Sequence, residues 1–175
     1  PKAWSPGLSS PLTADVVYFD AKTEADFEKF KGKLNGKIVL TAPIRDVSAH
    51  FDALGTRLNE KDLLTLADAP EPRSGGNRNF TINPQFRAAA ELAGAKMRFF
   101  QSEGAAVLID PGRGDGGTIF VQSAAVPQPP RDPNAPAPAF GRGTPPYDKS
   151  APKVTPQLVI AIEHYNRIVR MLQAG

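Results

Sequence analysis

Cysteine is absent from the 175 residues, which excludes a disulfide framework and any thiolate metal site while leaving the compartment open. Histidine is scarce, with His50 and His164 alone. A hydrolytic zinc centre needs three or more His or carboxylate ligands and a base, so two histidines leave little from which to build one. No run of about 18 apolar residues occurs, and no membrane span is expected. A Gly-x-Ser-x-Gly elbow is missing as well, which argues against an acyl-transfer triad of that type. Charge of one sign is also in short supply. The net balance is +3, and the segment Pro72 to Tyr147 carries all of it, its basic residues Arg73, Arg78, Arg87, Lys96, Arg98, Arg113, Arg131 and Arg142 outnumbering the acids. They are spread out with no aromatic-basic motif between them, so no nucleic-acid partner is expected. The chain starts with Pro1 rather than Met and shows no signal peptide, which reads as a piece of a longer polypeptide.

What is present is an ordinary globular composition, 41% hydrophobic and 22% charged, in a length that suits a single domain, 1-175. Proline is the exception. It accounts for 18 residues, ten of them between Pro127 and Pro156. Fixed φ angles and missing N–H donors keep that window out of helices and central strands. Its sizeable apolar side chains are Phe140, Tyr147 and Val154, too few for a core, so 127-156 is expected to be a Pro-rich surface excursion with anchored ends.

The periodicity alternates between strand and helix. Thr13 to Phe19 reads as a strand, and Thr23 caps a short helix bearing Phe27, Phe30 and Leu34. Gly36 to Thr41 is a buried strand. From Arg45 to Leu66 the spacing of Val47, Phe51, Leu54 and Leu58 predicts short helices, with Asn59 capping a turn through Leu63, Leu64 and Leu66. Asp68 to Asn83 is a loop. A stronger helix runs from Pro84 to Glu103, its stripe formed by Phe86, Ala89, Ala90, Ala93, Met97 and Phe100. Ala105 to Ile109 and Thr118 to Gln122 read as strands around a glycine turn. Leu158, Ala161, Ile162, Tyr165, Ile168, Val169 and Leu172 form the stripe of a final amphipathic helix. The order predicts a mixed α/β domain.

Few motifs promise chemistry. His50 and Asp52 form a His-x-Asp triplet, but on a helix positions two apart point about 200° away from each other, so His50 reads as a surface histidine. His164 falls on the polar side of the last helix. Gly112-Arg113-Gly114-Asp115-Gly116-Gly117 lacks the Lys-Ser/Thr and the following helix of a phosphate loop and reads as a flexible hairpin. Asn79-Phe80-Thr81 is a glycosylation sequon in form only.

Four segments together resemble one family. Leu34-Asn35-Gly36-Lys37-Ile38-Val39-Leu40 is similar to the "kGKIVL" strand of protease-associated domains. Phe99 to Ile109, ending Gly104-Ala105-Ala106-Val107-Leu108-Ile109, resembles their helix-to-strand element. Trp4-Ser5-Pro6-Gly7 and Ile162-Glu163-His164-Tyr165-Asn166-Arg167-Ile168-Val169-Arg170 resemble the form found in bacterial zinc-dependent exopeptidases related to glutamate carboxypeptidase. The likeness runs over nearly the whole chain. It departs after Leu40, where the common Arg-Gly-x-Cys-x-Phe stretch is replaced by Pro43-Ile44-Arg45-Asp46, and it lacks the Glu-Glu and Asp-Asn dipeptides through which the parent peptidases hold metal.

The resemblance implies a swivelling β/β/α protease-associated fold, with a β-sandwich or barrel-like core and flanking helices. It implies a non-catalytic domain of a secreted or periplasmic zinc metallopeptidase, an aminopeptidase or carboxypeptidase, that modulates substrate access or mediates protein interaction. No cofactor is expected in this chain, zinc belonging to the parent's catalytic domain. Its partners would be the catalytic domain of the same polypeptide and a peptide or protein substrate. Candidate rim residues toward that substrate or domain are Arg113, Asp115, Phe140, Arg142 and Tyr147. The alternatives are a free-standing peptide- or protein-binding or sorting module of the same fold and a small hydrolase with an unrecognised site.

Overall fold

Short β-branched runs make the centre of the molecule. In the computed structural model, which describes residues 1–53, 55–69, 84–130 and 143–175, the strands are β1 (Val16–Tyr18), β2 (Ile38–Leu40), β3 (Val107–Pro111) and β4 (Gln157–Ile160). They form one parallel sheet in the order β1-β2-β3-β4. Successive residues of a strand face opposite sides, and the register aligns Val17, Val39 and Leu108 on one face and Tyr18, Leu40 and Ile109 on the other. Parallel strands buried on both faces need a helical layer over each, and the chain supplies both. The fold is mixed α/β, a four-stranded parallel sheet with flanking helices.

The first layer is a 3₁₀ helix (Glu24–Phe30) together with the second α-helix, α2 (Pro84–Ser102). Asp26 accepts from the Thr23 amide and hydroxyl, each at 3.0 Å, and fixes the start of the 3₁₀ helix. Here Phe19, Phe27, Leu34, Val39, Ala95, Phe100 and Leu108 are packed together. Gly104 ends α2 at φ 74°, a left-handed conformation that glycine adopts without strain. The second layer is α3 (Ile162–Ala174), whose Tyr165 and Val169 bury against Leu40, with Val16, Tyr18, Ile109 and Ile160 around them.

Three expectations need correction. The stripe through Val47, Phe51 and Leu58 forms no helix among the described residues; Leu54 lies outside them, and α1 (Glu60–Ala67) starts only after the Asn59 cap. Phe51 is 94% exposed. The backbone near Ala42 and Arg45 instead finds side-chain partners on α3, which satisfies its polar groups without a helix. Thr118 to Gln122 is not a strand, and Val121 is 90% exposed. The reason is that β3 is paired on both edges, by β2 and β4, and has none left for a hairpin. Finally, Leu158 and Ile160 belong to β4 rather than to the last helix.

The ends of the Pro-rich window are anchored. Ala124, Val126 and Val154 make a small apolar cluster, and Gln128 bonds both backbone groups of Thr144 at 3.0 Å. Residues 131–142 and most of the predicted 68–83 loop, with the Asn79 sequon, lie outside the described residues. Among the described residues no helix is long and apolar enough to cross a membrane.

Tyr165 joins the layers most directly. Its hydroxyl donates to Ala42 O at 2.6 Å and accepts from Ala42 N at 2.9 Å, and burial pushes its pKa above the ordinary tyrosine value. Tyr165→Phe strands both backbone groups, and its expected cost is about 1–3 kcal/mol, read as a lower denaturant midpoint at unchanged m-value. An unchanged midpoint would mean that water replaces the hydroxyl.

Candidate functional site

Beyond the carboxyl ends of β2, β3 and β4, three chain segments converge on the Gly112–Gly117 turn. Its backbone is close-set: a Cβ at Gly114 would come within 2.7 Å of Thr118 O, so this turn specifically needs glycine there. Gly112 N donates to Ile160 O at 2.7 Å, which ties the turn to the end of β4. From the post-β2 segment, Arg45 Nη2 donates to Gly114 O at 3.0 Å and Arg113 O at 3.3 Å and lies 2.7 Å from Asp115 Oδ1. His50 Nε2 is 3.0 Å from Asp115 Oδ2. The turn is therefore a tethered loop rather than the flexible hairpin suggested by its glycine count.

From α3, Glu163 Oε1 accepts from Gly117 N at 3.2 Å, and Glu163 Oε2 is buried with no partner among the described residues. Its own amide in the first turn of α3 holds the Glu163 carboxyl below the ordinary glutamate value, with the Gly117 and Gly116 amides assisting and burial opposing. Asn166 is buried and clasps Arg45, accepting from Arg45 N at 3.3 Å and donating to Arg45 O at 2.6 Å. Together Arg45, Asp46, Glu163, Asn166 and Arg170 line a cleft of about 280 Å³. Two cations and two carboxylates leave its lining with no net charge.

Asp115 is held below the ordinary aspartate value, chiefly by its bond to His50 and then by Arg45. A carboxylate whose folded pKa is depressed stabilises the native state above its unfolded pKa, and that contribution fades as pH falls through the folded value. Asp115→Asn should therefore mimic acidification. The expected result is faster amide hydrogen exchange of residues 113 to 117 at neutral pH, with the wild type approaching the variant as pH falls below the ordinary aspartate range and through the lowered folded value. Equal exchange of the two proteins at pH 7 would show that the tether does not order the turn.

The structure places the candidate rim residues in two locations. Arg113 is exposed and Asp115 half-buried in the turn past β3. Tyr147 packs against Trp4, with ring centroids 5.4 Å apart and both rings exposed. That pair lies beside the first residue of β4, where Ser5 Oγ accepts from Gln157 N at 2.8 Å. The two groups thus sit at opposite ends of β4, about 10 Å apart along a strand of that length. Phe140 and Arg142 lie outside the described residues. His164 is exposed, as its place on α3 predicts.

The chain matches no family model, no curated protein and no solved structure. Any reading of its role therefore rests on its own residues. His50 and Asp115 bring two zinc-type ligands together, but the guanidinium of Arg45 is the third group at that carboxylate, a fixed positive charge where a metal would need another ligand. Among the described residues no cluster of three or more His, Asp or Glu suits a metal ion.

Arg45, His50, Glu163 and Asn166 were not legible as a site. Asn166 had a signal: with Ile162, Tyr165 and Val169 it completes the i, i+3, i+4, i+7 stripe, and a polar residue inside such a stripe needs a buried partner. The partners of Arg45 and His50 come from Asp115, 65 or more residues away, a separation that no local pattern reveals.

Proposed function

We propose that the chain is a non-catalytic protease-associated domain of a secreted zinc metallopeptidase, which modulates access of peptides or proteins to the catalytic domain of the same polypeptide. The observation that carries this reading is the way the four resembling segments come together. The strand in Gly36 to Leu40 and the strand in Ala105 to Ile109 are hydrogen-bonded neighbours at the sheet centre. The Trp4-Ser5-Pro6-Gly7 segment is bonded to β4 through Ser5, and the Ile162 to Arg170 segment covers one face of the sheet. The reading carries with it a swivelling β/β/α topology, whose sandwich or barrel-like core needs strands beyond the four among the described residues. The contact surface toward substrate is the tethered Gly112–Gly117 turn and the adjoining cleft, whose two cations and two carboxylates balance and offer donors and acceptors to a polypeptide backbone. Arg113 and Asp115 present it; Tyr147 is a second candidate contact, and the candidates Phe140 and Arg142 of the Pro-rich sequence window lie outside the described residues. Zinc belongs to the catalytic domain.

Two measurements test this. The 175-residue chain should turn over no aminoacyl or peptidyl chromogenic substrate with or without added zinc; turnover that survives repurification and is abolished by a chelator would overturn the reading. The complete open reading frame should encode a His-x-Asp, a Glu-Glu and an Asp-Asn ligand set outside these residues. A reading frame without them would favour a free-standing binding module.

A further inference from the structure

A larger cavity, about 500 Å³, lies at the other end of the sheet's carboxyl edge, beyond β1. Tyr18 and Asp20 stand at the end of β1, Leu92 and Lys96 come from α2, and Gln173 comes from α3. Because α2 and α3 cover opposite faces of the sheet, the cavity opens in the crevice between the two layers. Its volume falls within the range of small-molecule sites, and crevices outside the carboxyl ends of the strands are where open α/β sheets hold ligands.

Lys96 is the unusual member. It is half-buried, with Nζ 5.5 Å from the centroid of the Phe19 ring. Among the described residues it has no ion pair and no hydrogen-bond acceptor. Burial lowers its pKa below the ordinary lysine value, with the charge of Asp20 opposing that shift. The Lys96 Nζ keeps contact with water, and within the described residues the π face of Phe19 is only a partial substitute for an acceptor. Lys22 and Asp20 also line the cavity, so its charged lining sums to one positive charge. Leu92, Ala21 and Pro43 make the rest of the wall largely apolar.

We propose that this cavity binds a monocarboxylate carried on an apolar body, with the Lys96 ammonium as its ion-pair partner. The carboxylate supplies an acceptor that none of the described residues gives Lys96 and matches the single positive charge, while Leu92 and the ring of Tyr18 meet the apolar part. This site lies apart from the Gly112–Gly117 turn and does not depend on the protease-associated reading.

The test is an NMR titration of the uniformly ¹⁵N-labelled 175-residue chain with three probes: 4-phenylbutanoate, N-acetyl-L-phenylalanine and N-acetyl-L-phenylalaninamide. The acids should shift the amides of Ala21, Lys22, Leu92 and Lys96 saturably, and the uncharged amide should bind about tenfold or more weakly, the loss of one charge-assisted pair. Lys96→Met should weaken the acids by a similar factor, and Lys96→Arg should retain them. Stronger binding of N-acetyl-L-phenylalanine than of 4-phenylbutanoate points to a peptide C-terminus as the source, and the reverse order to a free small acid. Equal binding of acid and amide to the wild type, or no shift up to the solubility limit of the acids, overturns the proposal even if the Lys96→Met chain fails to fold.

Discussion

Ile162→Asp is expected to lower the thermal midpoint by about 10 °C or more. The side chain is fully buried at the start of α3. Burying an isoleucine contributes about 1.5–3 kcal/mol, and the substitution adds the cost of a carboxylate taken from water without a partner, which brings the expected loss to about 4 kcal/mol or more. One effect opposes it. An aspartate in the first turn of a helix gains about 0.3–1 kcal/mol from the helix dipole, too little to change the sign. For a chain of this size each kcal/mol moves the midpoint by about 2–4 °C. Arg167→Ala, on the exposed side of the same helix, is the control and should stay within about 0.5 kcal/mol of wild type. Equal effects of the two would mean that the buried face of α3 is assigned wrongly.

Phe19→Ala should be as damaging, from the other side of the sheet. Phe19 has no exposed surface. Its ring centroid lies 4.5 Å from that of Phe30, 4.7 Å from Phe100, 5.5 Å from Phe27 and 5.8 Å from Phe99. Removing the central ring leaves a cavity that four other rings on two elements cannot all fill, at an expected cost of about 3–5 kcal/mol. Phe86→Ala separates burial from aromaticity. Phe86 belongs to the predicted stripe of α2 but is 76% exposed, and its loss should shift stability by no more than about 0.5 kcal/mol. Chemical denaturation of both variants gives the answer: a Phe86 effect close to that of Phe19 would show that the first turn of α2 packs as Met97 and Phe100 of the same stripe do.

These two variants also mark how far the sequence could be read. Local signals that depend on a residue and its near neighbours held: the Asn59 cap of α1, the stop at Gly104, the span of α2 and the β-branched cores of β1, β2 and β3. They held because capping, left-handed backbone and strand propensity are decided within a few residues. Phe86 was misplaced because periodicity shows that a helix has an apolar side but not which of its turns reaches the neighbouring layer.

Leu158 shows the same limit at a strand. Its spacing from Ala161, Ile162 and Tyr165 fits a helix, yet Gln157 to Ile160 is the fourth strand, since β3 offers an open edge there and hydrogen bonds decide between two patterns that the side chains leave equal. Thr118 to Gln122, with a better strand composition, follows β3 but finds both edges of that strand already paired. The candidate site divides along the same line. Asp115 and Arg113 were visible as a charged, glycine-flanked turn, whereas Arg45, His50, Glu163, Asn166 and Lys96 acquire their roles only where separate stretches of chain meet. Sequence alone determined which segments are apolar enough to be buried and where most helices begin and stop. Tertiary structure decided strand order, the partner of each buried polar group and the charge balance of each cleft, because these depend on contacts between residues far apart in the chain, whose energies no local window contains.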